Sequence, residues 1–450
     1  MQKKVRELEI QRIKTLEKEI ERLKQENKDL KVLVQSKRFR ASWKLAAAFN
    51  NIFPHNSSRR KLALRIGKHG IKVYNKISSQ KVKKYHKQIR ALAGNKPIII
   101  YDSIPWDVDL KQRPQHLALQ LSMQNCFVVY YERTGKKLFY KVNENLVTTR
   151  SMSVISGIKK LKQKKFFFVS STNAYRSVYE EVKNTLGDNV YLIYEFIDEI
   201  DDKISPMAHE LQAFYDNLKH FKPFLLTASA KKLAKKLEDD GLPKSRIILS
   251  QNAVNIEDFD YTKKIPKMPS DLLKISKLNK PIIGYYGALA PWLDGKLMNS
   301  VSKKRKDLEF VYIGPDYNDG KKNFKKYPNV HFLGAKEYRQ LPDYALHFDC
   351  AIIPFGLGEI AKSTSPVKLF EYMAMGLPTV CTRDLDECKG YKNVFISKNA
   401  AEFERYLDKA IKEKTIDSSR QILLSSAKQN TWEQRAKDMV NYINNKKGIK

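Results

Sequence analysis

Between Ser365 and Val380 the chain carries residue types, at a spacing, that suit an anion. Ser365 and Pro366 stand where a helix takes its N-cap and first residue, and Gly376 and Pro378 stand where it must stop. The tip of such a helix, around Val367 and Lys368, presents free N–H groups, a partial positive charge and one full charge to whatever lies in front of it. A phosphate is the natural occupant. Glu371, one turn further on, could accept two hydroxyl hydrogen bonds from a ribose beside that phosphate. The competing structural reading is a helix packed on a sheet through Leu369, Phe370, Met373 and Ala374, with Glu371 in solvent.

Other groups could work with this one. Gly284-Tyr285-Tyr286-Gly287 ends an apolar run in a glycine turn, and Gly287 would let backbone N–H groups approach a diphosphate. Pro114 at a helix start would aim Arg113 at a phosphate and His116 at a sugar or a proton. Asp198, in Tyr194-Glu195-Phe196-Ile197-Asp198-Glu199, is either a carboxylate at a cleft edge or an N-cap. Two Asp-x-Asp triplets, Asp107-Val108-Asp109 and Asp384-Leu385-Asp386, have the residue types of a divalent-cation site. Neither follows directly on an apolar strand with a nucleotide-binding block before it, so no metal and no cofactor are expected.

These residues need elements to hold them. From Lys96 onward, short apolar runs alternate with helical stretches, the pattern of a doubly wound parallel sheet in an α/β protein. One block has strand candidates at 97–101, 126–131, 166–170, 190–194, 224–228 and 246–250. A second has them at 281–286, 309–313, 330–333, 350–354, 378–382 and 394–396, after a lysine- and proline-rich linker at 261–280. The expected organisation is a coiled coil over 1–35, a basic segment over 36–95, two Rossmann-like domains over 96–262 and 263–430, and a last helix over 431–450.

The Ser365-to-Val380 string resembles the nucleotide-sugar signature of GT-B glycosyltransferases, in particular the retaining enzymes of glycosyltransferase family 4 and its relatives. Trp106 followed by Arg113-Pro114-Gln115-His116 is similar to the acceptor-side segment of bacterial cell-envelope polysaccharide transferases of the teichuronic-acid type. The resemblance implies two Rossmann-like domains facing a cleft. It also implies a nucleotide-sugar donor held through Gly287, Ser365, Pro366, Val367, Lys368 and Glu371, and a lipid-linked glycan acceptor. Arg113, His116 and Asp198 would face the sugars, and the last helix would cross back onto the first domain. The chain departs from the family where Ser363 occupies the position eight before Glu371, usually a second glutamate, and where Asn252-Ala253-Val254-Asn255 replaces Asn-Gly-Val-Asp.

Composition sets the surroundings. The 450 residues suffice for two or three domains, and the net charge of +35 calls for an anionic partner. No Asp or Glu occurs between Ser36 and Asn95, where lysines and arginines alternate with Phe39, Trp43, Phe49 and Phe53, a composition suited to an anionic membrane surface. A merely solvated basic linker is the first alternative and nucleic acid the weaker one, since no recognised nucleic-acid motif accompanies the charge. Ile13, Ile20, Asn27 and Val34 alternate with Leu16, Leu23 and Leu30 as the seam of a parallel homodimeric coiled coil. No run reaches the roughly 18–20 apolar residues that span a bilayer. Four scattered cysteines fit a reducing compartment, so a cytoplasmic protein on the inner face of the plasma membrane is expected.

Overall fold

The computed structural model describes residues 79–445, apart from 109–110, 203–204, 206, 260–266 and 357. The expected coiled coil and its dimer, and nearly all of the basic segment, lie outside the described residues.

Two sheets dominate. The first holds eight strands in the order β3-β4-β2-β1-β5-β6-β7-β8: β1 (Ile98–Asp102), β2 (Phe127–Tyr131), β3 (Phe139–Asn143), β4 (Leu146–Thr149), β5 (Lys165–Ser170), β6 (Val190–Phe196), β7 (Leu225–Ala228) and β8 (Ile247–Leu249). All neighbours are parallel except β3 and β4, which form an antiparallel hairpin. The second holds six parallel strands in the order β11-β10-β9-β12-β13-β14: β9 (Ile282–Tyr286), β10 (Glu309–Ile313), β11 (Val330–Phe332), β12 (Cys350–Ile353), β13 (Thr379–Thr382) and β14 (Val394–Ser397).

The central strands are continuous apolar runs because helices cover both faces. In β1, Ile98 and Ile100 enter one core while Ile99 and Tyr101 enter the other, the period of two that a strand imposes. Each strand run read from the sequence is present to within two residues at either end. The β3–β4 hairpin is the addition. Its Phe-Tyr-Lys-Val-Asn edge strand is half exposed and carries a lysine, so it lacks the apolar signature of its neighbours.

The final helix, Trp432–Asn445, lies on the first sheet's side. Ala436, Met439, Val440 and Ile443 share a core with Leu117, Ala118 and Leu121 of the Arg113–Met123 helix. A short ladder leads into it, with Val254 N–H donating to Asn430 O at 3.1 Å and Trp432 N–H to Val254 O at 3.2 Å. In both sheets the strand order reverses beside the first strand, between β1 and β5 and between β9 and β12. Crevices at the carboxyl ends of strands open at such reversals.

Candidate active site

A cavity of about 380 Å³ lies where the two reversals face each other. Ser103 and Ile104 after β1 and Thr172 and Asn173 after β5 form one wall; Gly287 after β9 and Gly314 after β10 form the other. An adjoining cavity of about 500 Å³, with Trp292, Phe355 and Thr364 on its wall, shares Asp198, Asn252, Val367 and Lys368 with the first.

The helix that carries the anion signature spans Val367–Ala374 and begins one residue later than its sequence suggests. Pro366, not Ser365, is the N-cap, and no side chain caps it. The Ser365 hydroxyl is drawn instead to the other lobe, where it accepts the Asn252 N–H at 3.1 Å. The Asn252 side-chain amide donates to the Ser365 carbonyl, so this contact ties the two lobes at the cavity's edge. The stop is where glycine permits it. Gly376 adopts φ +62, and the Leu377 and Gly376 N–H groups reach back to Tyr372 O and Met373 O at 2.9 Å each.

Val367, Lys368 and Glu371 line the cavity. The Lys368 ammonium sits 5.3 Å from the Tyr285 ring and 5.0 Å from the Phe355 ring, and burial pushes it down to about 8. Glu371 is buried rather than solvated, with Oε2 accepting from Tyr286 Oη and Oε1 from Tyr338 Oη, both at 2.8 Å. Burial pushes its carboxyl up, against the two tyrosine hydrogen bonds and Lys368, which pull it down. Each carboxylate oxygen keeps a lone pair beyond its tyrosine bond. At Gly314, φ is +150 and a Cβ would lie 1.9 Å from the Gly287 carbonyl oxygen. Only glycine fits there, and the two turns thus bring bare backbone to the cavity wall.

The first lobe distributes its expected residues differently. Asp198 lies on the wall of both cavities, and burial, opposed by Arg113 and aided by Glu195 and Glu199, pushes its carboxyl up to about 6. Arg113 reaches the wall with its guanidinium already engaged. Nε and Nη2 donate to Glu195 Oε1 at 3.0 and 2.7 Å, Nη2 also to Ser250, and Nη1 to Gln251 O and Asn252 Oδ1 at 3.1 Å each. All three nitrogens are in use, which leaves the expected phosphate contact without a donor. His116 is set back from both cavities and stacks flat on Trp432, with centroids 5.4 Å apart. Its Nε2 has no hydrogen-bond partner among the described residues, and burial pushes the imidazole down to about 4, so the ring is neutral at pH 7. The aspartates of the second Asp-x-Asp triplet serve locally: Asp384 accepts the Gly358 N–H at 2.8 Å and Asp386 pairs with Lys389.

Several wall residues carry no motif of their own. Gly314 follows β10 as Gly287 follows β9, a repeated strand-then-glycine signal in the sequence. Tyr338 sits in a short 3₁₀ turn over Tyr338–Gln340 that nothing local announces. Lys336 joins the wall while paired to Asp271 at 2.7 Å.

Two doubly wound lobes with a cavity between the carboxyl ends of their strands define the GT-B fold. Residues 280–413, within the second lobe, match the family described as glycosyl transferases group 1. The chain is 29% identical over 135 residues to the candidate teichuronic acid biosynthesis glycosyltransferase TuaH of Bacillus subtilis (strain 168); the match covers 29% of this chain and 33% of TuaH. The chain thus spans about a third of the length of that curated relative. Among solved structures, HepE of Anabaena, determined with UDP and glucose, superposes with a TM-score of 0.54 at 12% identity over 77% of this chain and 99% of HepE. A glycosyltransferase of Rickettsia africae ESF-5 gives 0.57 at 15% identity over 79% of this chain and 100% of its own. Sucrose-phosphate synthase of Thermosynechococcus elongatus gives 0.57 at 12% identity over 78% and 99%. At these identities the likeness is one of fold.

Proposed function

We propose that the protein is a glycosyltransferase moving a sugar from a nucleotide-sugar donor to a lipid-linked glycan during cell-envelope polysaccharide assembly. The observation that carries the reading is a lysine at a helix tip and a glutamate one turn further along it, both on a cavity wall, with the lysine free of any ion pair among the described residues. In this reading Lys368, the amides of the helix tip and the bare turns at Gly287 and Gly314 hold the diphosphate. Glu371, fixed by Tyr286 and Tyr338, takes the ribose hydroxyls. As the glycosidic bond breaks, charge gathers on the departing diphosphate, and a cation already in place lowers the barrier. Arg113 acts as a positioning residue that holds Glu195 and the Asn252 turn. The similarity to TuaH supports the envelope-polysaccharide setting, and the basic segment over 36–95 supports peripheral attachment to an anionic membrane. Among the described residues no helix is long and apolar enough to cross one.

Resemblance to family 4 favours retention, in which a donor phosphate oxygen takes the acceptor proton. One observation favours inversion. Asp198 faces both cavities with a carboxyl near 6, ionised at pH 7 and basic enough to take a proton. The anomeric configuration of the product, read by NMR, decides between them. If Asp198 is the base, the rate falls below about pH 6 and Asp198→Asn removes that limb.

Calorimetric titration with UDP, GDP and dTDP sugars, alongside a donor-hydrolysis assay, tests the reading. Binding of one nucleotide class, weakened roughly tenfold to a hundredfold in Lys368→Met, is expected. Silence from every donor overturns it and leaves a catalytically inert scaffold of the same fold.

A further inference from the structure

A third cavity, of about 290 Å³, belongs wholly to the first lobe. It starts where the central one ends: Ser103 and Ile104 line the central cavity, and Pro105 and Trp106, the next two residues of the loop, line this one. The loop is pinned, with Tyr130 Oη donating to Ile104 O and Gln115 Nε2 to Pro105 O, each at 2.9 Å. The far wall is the β3–β4 hairpin, which brings Tyr140 and Thr148. Phe139 of that hairpin stacks on Tyr85, so the wall is anchored from behind.

The lining is chemically mixed in a particular way. Trp106 and Tyr140 supply aromatic surface, and Tyr140 is 43% exposed. Lys137, its ammonium 4.3 Å from the Tyr140 ring centroid, and Lys136 supply donors; Thr134 and Thr148 supply hydroxyls. Opposite them is Glu132, only 4% exposed. One of its oxygens accepts the Trp106 N–H at 2.7 Å; the other has no hydrogen bond among the described residues, and neither lysine pairs with it. Its position is built in, because a Cβ at Gly135 would lie 2.3 Å from the Glu132 carboxyl carbon. The second oxygen is thus left to the cavity that Glu132 lines, and the proposed reaction gives it no task.

We propose that this cavity is a binding subsite for one hexose unit of the glycan, next to the reaction centre and outside it. A sugar ring offers what the walls ask for: apolar C–H surface for the aromatics, hydroxyl donors for Glu132 and acceptors for the lysines. Glu132 and Asp107 disfavour a second phosphate group, and the cavity is at the small end of the roughly 300–1,000 Å³ typical of ligand sites. The assignment of the hexose to the glycan rests on the transferase reading; the binding itself does not.

Saturation-transfer NMR on the full chain with methyl glucoside, methyl N-acetylglucosaminide and methyl glucuronide tests it, with nucleoside-diphosphate binding measured in parallel. At least one hexoside is expected to bind, and Tyr140→Ala and Glu132→Gln are expected to weaken it roughly tenfold each while nucleotide affinity is unchanged. Tyr140 is exposed, and the amide oxygen introduced by Glu132→Gln would still accept the Trp106 N–H, so neither change threatens folding. No hexoside signal in the wild type, or equal signals in both variants, overturns the proposal. Absence of nucleotide binding instead strikes the transferase reading and leaves the hexoside result to judge this cavity alone.

Discussion

Each lobe sets a base near a buried acid, Arg113 by Glu195 and the half-buried Lys368 near Glu371, and the two pairs are treated in opposite ways. In the first lobe Arg113 and Glu195, 5% and 0% exposed, meet at 2.7 Å, and the remaining guanidinium donors are consumed by Ser250, Gln251 and Asn252. In the second, Lys368 and Glu371 share one helix, yet the acid is held by two tyrosines and the base by aromatic faces. A closed pair of charges is scaffold. An open pair on a cavity wall keeps its electrostatic capacity for a ligand, at some cost to the empty protein.

Breaking the closed pair has the largest expected effect. Arg113→Ala leaves Glu195 buried without a counter-charge and costs about 3–5 kcal/mol, visible as a lower urea midpoint for the full chain. A loss below about 1 kcal/mol would place Arg113 with the ligand groups instead. Lys368→Met reverses the pattern. Stability stays level or rises, while nucleoside-diphosphate affinity falls roughly tenfold to a hundredfold, the weight of a charge-assisted hydrogen bond. Unchanged affinity by calorimetry would remove Lys368 from the site. Glu371→Gln is milder. It should lose about tenfold for a ribonucleoside diphosphate and much less for its 2′,3′-dideoxy analogue, so that the ratio of the two affinities reports the ribose contact.

This contrast also marks what the sequence could tell. The strands were legible because a strand buried on both faces must be a continuous apolar run, and the Val367–Ala374 helix because its stop needs a residue that accepts φ +62. The start of that helix slipped by one because the Ser365 hydroxyl had a partner 113 residues away, and cap preferences describe only local competition. Arg113 was legible as a cation near the cleft; its neutralisation by Glu195, 82 residues on, was not. Tyr338 escaped for the same reason, because its bond to Glu371 and its place on the cavity wall join residues 33 positions apart. The β3 half of the hairpin escaped because a half-exposed edge strand with a lysine reads as loop, and β4 because four residues, two of them threonine, make too short an apolar run. Local periodicity reveals elements, whereas the use of a side chain depends on what the fold brings beside it.

The smallest expected effect separates the open pair from mere burial by its sign. Lys368 is held down to about 8 in the folded protein against an ordinary 10.5. Bound diphosphate needs the ammonium, so affinity falls as pH rises through about 8 and approaches a tenfold loss per unit above it. Stability of the empty protein moves the other way. Between about 8 and 10.5 the unfolded chain binds the proton that the folded chain has released, so stability rises with pH over that window. Lys414, also pushed down to about 8 by burial, adds to the stability trend but lines neither cavity. Lys368→Met should therefore abolish the pH dependence of affinity and only part of that of stability. Calorimetry and thermal melting from pH 7 to 9.5 measure both; an affinity slope that survives in the variant would assign the ligand's counter-charge to another cation, with Lys336 on the same wall the next to remove.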